Sequence, residues 1–282
     1  MKSFGIIGGD LRQLELARGL SRLGYPVFCC GFDQLEQAPP EQKMEALHSD
    51  VVVLPLPTAE GETIKMPFGS EKLTFQEVLQ EVRPDTLLTG GMVSPQLQQM
   101  AAASGLELID YFQREELQVL NAIPTAEGAI SLALDETGTT LHRSRCLILG
   151  FGRIGKLLAH RLHQMGCDVT VAARKCADLA WCSAYGYHPL PFANLAQAAP
   201  EAQIIFNTVP RMVLTEEILH TLPPDCLVID LASRPGGVNL KAAQQLGVRC
   251  IWALSLPGKT APVTSGEYIR DTILHILEER GE

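Results

Sequence analysis

Short runs rich in Val, Ile and Leu alternate along the chain with longer segments whose apolar residues recur at helical spacing. This alternation is the βαβ pattern of a parallel sheet covered by helices. Segment 54–70 interrupts the pattern with three prolines and two glycines, which predicts a long surface loop. In the first half the pattern predicts strands at 3–7, 26–30, 50–54, 86–89 and 106–109, and helices at 11–23, 74–82, 95–103 and 114–120.

The second half restarts the same pattern. It predicts strands at 145–149, 168–172, 204–207, 226–230 and 249–252, and helices at 153–165, 177–185, 215–221, 240–246 and 266–279. Each half opens with a strand, a glycine turn and a helix, which favours an α/β fold of two doubly wound parallel-sheet (Rossmann-like) domains with a cleft between them. The join is predicted within 124–134, where Pro124 suits the first turn of a connecting helix.

Length and composition indicate a folded chain without a nucleic-acid or membrane partner. The 282 residues suffice for two domains, and 46% hydrophobic with 20% charged residues is typical of globular proteins. A net charge of −9 argues against nucleic acid, which attracts basic surfaces. No apolar run reaches the roughly 18–20 residues of a membrane span, and the first ten residues lack a secretory core. The eight cysteines are scattered without a C-x-x-C pair, so we expect free thiols in a reducing cytoplasm.

The strongest chemical signal is the glycine turn that opens the second half. It follows an apolar strand, starts a helix, and consists of Gly150, Phe151, Gly152, Arg153, Ile154 and Gly155. In this motif the first glycine permits a tight turn, the second lets backbone amides approach a pyrophosphate, and the third lets helix and strand pack closely. The helix N-terminus then attracts the anion. The turn therefore predicts a dinucleotide site.

The end of the following strand selects between the two nicotinamide cofactors. NAD-selective sites place an acid about 20 residues after the glycine turn, where it accepts hydrogen bonds from the ribose hydroxyls. Arg174 and Lys175 stand there instead, and two cations suit the 2′-phosphate of NADP. A solvated basic turn is the alternative. The loop after the next strand completes the predicted cofactor site with Asn207, Thr208, Val209 and Pro210.

Other strand ends predict a site for a small anionic substrate. Arg234 lies in a glycine-rich loop where its guanidinium can grip a carboxylate, although a merely exposed loop arginine is an equal alternative. In the first half, Asp10 suits a helix N-cap and Arg12 follows it, so this helix start can take a substrate anion. Ser94 follows another strand end. His160 and His163 neighbour charged residues, which favours a solvated helix face over a metal site.

Several segments resemble the A subunits of bacterial dipicolinate synthase, a sporulation family that makes pyridine-2,6-dicarboxylate. The Gly-Gly-Asp-x-Arg-Gln-Leu and Ala-Ser-Arg-Pro-Gly-Gly strings are distinctive, whereas many dehydrogenases share the glycine turn. The resemblance runs along essentially the whole chain. It rests on residues 8–15, 121–129, 149–155, 230–237 and 256–262.

The resemblance implies an activity and an organisation. The substrate would be dihydrodipicolinate or its hydroxylated tetrahydro precursor, and NADP⁺ would accept the hydride. A flavoprotein-like B subunit would be the partner, in the cytoplasm of the mother cell of a spore-forming bacterium, and an oligomer is expected. Residues 1–121 plus 262–282 would form a substrate domain completed by the C-terminal helix, and residues 122–261 would form the NADP-binding domain.

A ring dianion needs several donors, and its oxidation needs a base for the accompanying proton. The expected donors are Arg12, Ser94, Arg234, Lys259 and Thr260. The candidate bases are Asp10, Glu127 and Lys259. With Arg234 gripping one carboxylate and Arg12 with Ser94 gripping the other, substrate would draw the two domains together.

Two other interpretations stay open at this point. A shikimate- or alanine-dehydrogenase-like oxidoreductase acting on another small carboxylate would use the same cofactor but form no pyridine product. A non-catalytic NADP-binding subunit that organises a partner enzyme would bind the cofactor, and the chain alone would transfer no hydride.

Overall fold

The computed structural model describes residues 1–281 and divides them into two compact units. Unit 1 is Met1–Asn121 together with the chain from Ala261 onward, and unit 2 is Ala122–Thr260. The strands are β1 (Phe4–Ile7), β2 (Val27–Cys30), β3 (Val51–Val53), β4 (Ala59–Glu60), β5 (Thr63–Ile64), β6 (Leu87–Gly90), β7 (Leu108–Asp110), β8 (Arg145–Leu149), β9 (Asp168–Ala173), β10 (His188–Pro191), β11 (Ile204–Asn207), β12 (Leu227–Asp230) and β13 (Arg249–Trp252).

The helices complete each unit. They are α1 (Leu11–Arg22), α2 (Lys43–Leu47), α3 (Phe75–Glu81), α4 (Pro95–Ala103), α5 (Glu115–Thr137), α6 (Arg153–Gln164), α7 (Cys176–Ala184), α8 (Leu195–Ala198), α9 (Glu216–Leu219), α10 (Leu240–Gln245), α11 (Leu256–Thr260) and α12 (Pro262–Glu279). Three short 3₁₀ turns lie at Tyr111–Gln113, Phe192–Asn194 and Ala199–Glu201.

Unit 1 is built on a five-stranded parallel sheet in the order β2-β1-β3-β6-β7. Both faces are buried, because Val51 and Val53 pack into one apolar cluster while Val52 packs into another. A strand that is covered on both sides reads as a continuous apolar run, as these do. The switch in strand order lies between β1 and β3, so the loops after these strands are where a ligand of this fold is expected.

The C-terminal helix α12 packs closely on α1 within unit 1. Ile269, Ile273 and Ile276 are buried along one face of α12. The approach depends on Gly266, because a Cβ there would lie 2.6 Å from the carbonyl oxygen of Arg12. This contact fixes the helix that begins at the first glycine turn.

Unit 2 is built on a six-stranded parallel sheet in the order β10-β9-β8-β11-β12-β13. Ile204 and Phe206 of β11 face one core cluster and Ile205 faces the other, so this sheet is also covered on both sides. The two parallel sheets with flanking helices confirm the predicted α/β class. The carboxyl ends of β8, β9, β11 and β12 form one edge of the sheet, at which all the predicted cofactor residues lie.

The prediction of one helix at 114–120 and a separate connecting helix that begins at Pro124 is wrong, because α5 runs without interruption from Glu115 to Thr137. Proline inside a helix removes one backbone hydrogen bond and costs about 3 kcal/mol. Here that cost is offset by a stripe of small side chains buried at helical spacing, at Ala122, Ala126, Ala129 and Ala133. The boundary between the units falls within this helix, after Asn121.

Among residues 1–281, α5 is the one helix long and apolar enough to cross a membrane by length and composition. The sequence pattern did not indicate this long helix, because Pro124 suits the start of a separate helix. Its most apolar window has a mean hydropathy of 1.2, and 50% of that window is buried within the protein. Core helices of globular proteins meet the same criterion.

Further elements differ from the sequence prediction. Segment 54–70 is not a plain loop, because β4 and β5 form a hairpin whose turn uses Gly61 in the left-handed region (φ +64°). Strand β10 contains Pro189 and Pro191, which sequence patterns exclude from strands, yet it lies at the sheet edge where proline is tolerated. Helices α2 and α11 have five residues each and are too short to produce a periodic signal.

Candidate cofactor and substrate site

The glycine turn of unit 2 contains one glycine that the protein itself does not require. A Cβ at Gly150, whose φ is +99°, would lie 2.5 Å from Thr208 Oγ1, and a Cβ at Gly155 would collide with the carbonyl oxygen of Gly150. A Cβ at Gly152 would meet no atom within 4 Å. Fold packing therefore explains Gly150 and Gly155, whereas no contact within the described residues requires a glycine at position 152.

The helix that starts at this turn has no side-chain cap. Gly152 is the N-cap of α6, and no side chain caps the first turn of this 12-residue helix. The first amides of a helix have no partner within it, and they carry the positive end of the helix dipole. The open face of Gly152 and the uncapped amides lie at the same point, which is the arrangement that binds a pyrophosphate.

Arg174 and Lys175 directly follow β9, the strand next to β8. Both side chains are exposed, and neither forms an ion pair within residues 1–281. Unpaired cations at the carboxyl end of the second strand are free to bind a phosphate from solution. Lys175 is also the N-cap position of α7, without a capping hydrogen bond from its side chain.

The glycine turn of unit 1 is closed, in contrast to that of unit 2. The amide of Gly8 donates to the carbonyl of Cys30 (2.7 Å) and that of Gly9 to the carbonyl of Lys65 (2.8 Å). A Cβ on Gly8 would collide with Met66, and a Cβ on Gly9 would lie 2.6 Å from Gln13 Oε1. The protein fills the space above this turn, so backbone amides at Gly8 are not free to bind a substrate or a pyrophosphate.

Asp10 and Arg12 form an ion pair beside the closed turn. Asp10 is the N-cap of α1 as predicted, and its Oδ1 accepts from the amide of Arg12 (3.0 Å). Arg12 Nε donates to Asp10 Oδ1 (2.9 Å) and Nη2 to Oδ2 (2.8 Å), while Nη2 also donates to the carbonyl of Leu56 (2.6 Å). Arg12 is 5% exposed. Its guanidinium is therefore committed first to Asp10 and the loop after β3.

Ser94 lies in a loop of unit 1 whose backbone is held by a carboxylate. Ser94 is the N-cap of α4, and its hydroxyl accepts from the amide of Leu97 (3.3 Å). The preceding amides of Met92 and Val93 donate to the two carboxylate oxygens of Asp110, each at 3.0 Å. Met92 has φ +53° and is half exposed, a conformation that a non-glycine residue keeps only when its surroundings enforce it. Asp110 was not predicted from the sequence, in which the one feature that marks it is an acidic residue at the end of a strand.

A buried carboxylate organises the strand ends of unit 2. Asp230, 1% exposed at the end of β12, accepts from the amides of Ala232 (3.0 Å) and Gly237 (2.9 Å). It also accepts from Asn207 Nδ2 (2.8 Å) at the end of β11, and Asn207 Oδ1 accepts from the amide of Val209 (3.1 Å). These hydrogen bonds join the loop after β11, which carries the predicted cofactor residues, to the loop that carries Arg234. The sequence did not indicate this role for Asp230.

The remaining predicted residues of unit 2 lie in two places. Glu127 is exposed on α5 and pairs with Arg161 of α6, with Arg161 Nη2 3.2 Å from Glu127 Oε1. Lys259 and Thr260 end α11 and are exposed, and a Cβ at Gly128 would lie 2.7 Å from Thr260 Oγ1. Helix α5 thus holds α11 closely, whereas Glu127 is committed to an ion pair between helices.

Thiol and metal chemistry have little support in the described part of the chain. Burial raises the pKa of Cys29, Cys226 and Cys250 to about 12, which keeps these thiols protonated and unreactive. Residues 1–281 contain no group of three or more His, Cys, Asp or Glu side chains placed to hold a metal ion.

Two family models divide the chain near the boundary between the units. The N-terminal domain of the dipicolinate synthase A subunits matches residues 3–112. The NAD-binding domain of the D-isomer-specific 2-hydroxyacid dehydrogenases matches residues 121–241. Unit 2 thus carries a nicotinamide dinucleotide-binding domain, as the glycine turn predicts.

Whole-chain relatives agree with these matches. The dipicolinate synthase A subunit of Bacillus subtilis (strain 168) is 32% identical over 282 residues, which cover 97% of this chain and 95% of the relative. A crystal structure of the same subunit from Bacillus halodurans has a TM-score of 0.88 at 31% identity, with 98% of this chain and 97% of that chain covered. The Bacillus subtilis structure has a TM-score of 0.87 at 32% identity, with 99% and 96% covered. The chain belongs to the family of dipicolinate synthase A subunits.

Proposed function

We propose that the chain oxidises dihydrodipicolinate, or its 4-hydroxy-tetrahydro precursor, to dipicolinate with NADP⁺ as the oxidant. The observation that carries this proposal is the open face of Gly152 above the uncapped N-terminus of α6. A glycine that packing does not require, set at the uncapped start of a 12-residue helix, fits a pyrophosphate. The membership of the family supplies the substrate class.

The cofactor would be held entirely by residues of unit 2. Gly150, Phe151, Gly152, Arg153, Ile154 and Gly155 would hold the pyrophosphate, and Asn207, Thr208, Val209 and Pro210 would line the nicotinamide side. Thr208 Oγ1 donates to the carbonyl of Leu149 (2.8 Å), which fixes this second loop against the first. When bound, NADP⁺ supplies the hydride acceptor.

Selection of NADP over NAD would rest on Arg174 and Lys175. Their exposed side chains lack ion-pair partners within the described residues, so a 2′-phosphate would meet cations that are already free. No acid at this point competes for the ribose hydroxyls. A bidentate contact from a guanidinium to a phosphate adds geometric selectivity to the charge.

The substrate is a ring with two carboxylates, and oxidation of dihydrodipicolinate removes a hydride and a proton to leave an aromatic ring; the 4-hydroxy-tetrahydro precursor would in addition lose its hydroxyl as water. The aromatic product makes the step favourable, so the protein mainly orients the ring and excludes water. Arg234, Lys259, Thr260 and Ser94 would bind the substrate.

Asp10 is the proposed proton acceptor, and Arg12 would orient its carboxylate. This choice follows from the positions of the two acidic candidates. Both are in ion pairs, Glu127 with Arg161 and Asp10 with Arg12, but Asp10 follows a strand end of unit 1, where a ligand of this fold is expected, whereas Glu127 lies on a helix. Arg12 is therefore proposed as a positioning residue rather than as a direct carboxylate ligand.

The family also supplies the cellular setting of the proposal. We propose that the chain works with a flavoprotein-like B subunit, as an oligomer, in the cytoplasm of the mother cell of a spore former. Unit 1 would be the substrate and catalytic domain, which supplies the proton acceptor, and unit 2 would be the NADP-binding domain, which also supplies cations to the substrate.

The test is hydride transfer by the purified chain alone, followed as reduced-nicotinamide absorbance with the precursor and NADP⁺ supplied. Formation of dipicolinate in proportion to reduced cofactor is the expected result. Tight NADP⁺ binding without any hydride transfer would instead identify a non-catalytic organising subunit. Turnover of other small carboxylates without a pyridine product would identify a dehydrogenase of a different specificity.

A further inference from the structure

A substrate with two negative charges requires cations that are not already neutralised. Arg12, the cation nearest the first glycine turn, is paired with Asp10. Three other arginines have no ion pair or hydrogen bond for their side chains within residues 1–281 and follow the carboxyl ends of unit 2 strands. They are Arg174 after β9, Arg211 after β11 and Arg234 after β12. Arg211 is exposed and has no part in the cofactor site proposed above.

The loops that carry Arg211 and Arg234 are hydrogen-bonded to each other. Strands β11 and β12 are parallel neighbours, with Asn207 opposite Asp230. Beyond them, the amides of Val213 and Leu214 donate to the carbonyl of Gly237, at 2.9 and 3.0 Å. These two bonds fasten the segment after Arg211 to the end of the loop that contains Arg234.

The close approach of the two loops also depends on Gly237. A Cβ at this position would lie 2.5 Å from the carbonyl oxygen of Val209 and 2.8 Å from that of Arg211. The backbone of Arg211 therefore packs against Gly237, the second of the two glycines that follow Arg234 and Pro235. Because neighbouring parallel strands lie about 4.8 Å apart, both arginines start from the same small area of the sheet edge.

The acid beneath these loops does not neutralise the two arginines. Both carboxylate oxygens of Asp230 accept hydrogen bonds, from Asn207, Ala232 and Gly237, and the group is 1% exposed. The chain as a whole carries a net charge of −9, and two guanidinium groups without ion-pair partners on adjoining loops are the local cations available to an anion at this sheet edge.

We propose that Arg211 and Arg234 together bind the carboxylates of a planar ring dicarboxylate at the carboxyl edge of unit 2. This inference rests on the proposed function and extends it, because it assigns Arg211 to substrate recognition. Arg174, which lies on the other side of β8, is left to the cofactor phosphate. Guanidinium groups suit this task because their planar forks match carboxylates in a way that an ammonium does not.

The experiment measures binding of pyridine-2,6-dicarboxylate and pyridine-2-carboxylate by calorimetry in the presence of NADP⁺. The proteins are wild type, Arg211→Ala, Arg211→Lys and Arg234→Ala. Arg143→Ala is the matched control, because Arg143 is also exposed and without an ion pair in the described chain but precedes β8, at the opposite sheet edge. NADP⁺ affinity is measured separately for every variant.

Arg211→Ala is expected to weaken dicarboxylate binding by about 10- to 100-fold, the loss of a charge-assisted contact, while NADP⁺ affinity stays at the wild-type value. Arg211→Lys should recover little, and the monocarboxylate should lose less than the dicarboxylate. Dicarboxylate affinity of Arg143→Ala should equal that of wild type.

Three results would overturn the assignment: wild-type dicarboxylate affinity in Arg211→Ala, equal weakening in Arg143→Ala, or a parallel loss of NADP⁺ affinity. Absence of dicarboxylate binding in wild type would overturn it as well. If wild type binds the dicarboxylate through Arg211 but the chain does not oxidise the precursor, the proposed function fails and the binding assignment stands.

Discussion

Gly152→Val separates ligand binding from folding at the glycine turn of unit 2. The substitution places a β-branched side chain where a Cβ meets no protein atom within 4 Å, so the folded chain accommodates it. The same side chain would occupy the space through which a pyrophosphate approaches the amides of α6. We expect the variant to fold and to lose NADP⁺ binding.

The magnitudes follow from the local geometry. Replacing a glycine N-cap by a residue that does not cap costs about 1 kcal/mol of stability. Each amide contact to a charged phosphate oxygen contributes about 1.5–3 kcal/mol, so losing two of them weakens binding by about 100-fold or more. At a cofactor concentration about 100 times the wild-type Kd, NADP⁺ should stabilise wild type by about 2.7 kcal/mol and the variant by about 0.4 kcal/mol.

The assay is denaturant unfolding with and without NADP⁺, with Gly155→Ala as the contrasting variant. A Cβ at Gly155 collides with the carbonyl oxygen of Gly150, so this smaller change should destabilise the unliganded protein by about 1–3 kcal/mol. Gly152→Val should instead remove the cofactor-dependent part of the stability. An NADP⁺-dependent stabilisation of Gly152→Val equal to that of wild type would refute the reasoning and move the pyrophosphate elsewhere.

Three further predictions concern other residues. Arg174→Ala should weaken NADP⁺ binding by about 10-fold or more and leave NAD⁺ binding unchanged. Titration of wild type and the variant with both cofactors tests this. Equal affinity of the wild type for NADP⁺ and NAD⁺ would contradict it. Asp230→Ala should destabilise the protein by about 3–5 kcal/mol in denaturant unfolding, because it leaves three buried donors unpaired, whereas Asp230→Asn should lose less. Hydrogen bonds from Ser3 lower the pKa of Asp50 from 3.8 to about 2, so its stabilising contribution is complete above pH 3.8 and disappears as the pH falls through about 2. Asp50→Asn should therefore flatten the acid limb of the stability curve, and an unchanged limb would contradict this.

The parallel sheets were predictable because burial on both faces demands unbroken apolar runs, which residues 51–53 and 204–206 supply. The failures have local causes. Pro189 and Pro191 mask an edge strand, and the cost of Pro124 is outweighed by buried alanines that sequence alone cannot assign to a core.

The site was predictable where one residue type has one physical use and not where partners decide the role. The glycine turn of unit 2 could be identified because packing and ligand approach both require glycine. The Asp-x-Arg spacing of residues 10–12 suits a helix cap, a base or an anion site equally, and only the bonds of Arg12 to Asp10 and Leu56 distinguish these uses. Asp110 and Asp230 act through backbone amides, which leave no pattern in the sequence.

The two glycine turns differ in what lies above them, and the difference traces to the hairpin that sequence analysis interpreted as a loop. The chain after β5 brings Lys65 and Met66 over Gly8 and Gly9, where they occupy the approach that a pyrophosphate needs. No such segment covers Gly152. A doubly wound sheet offers a ligand site at its strand ends in either unit, and the closed first turn agrees with the proposal that Asp10 and Ser94 serve a ligand other than a dinucleotide. The segment that follows one short hairpin thus closes the first glycine turn, while a Cβ at Gly152 in the second would meet no protein atom within 4 Å.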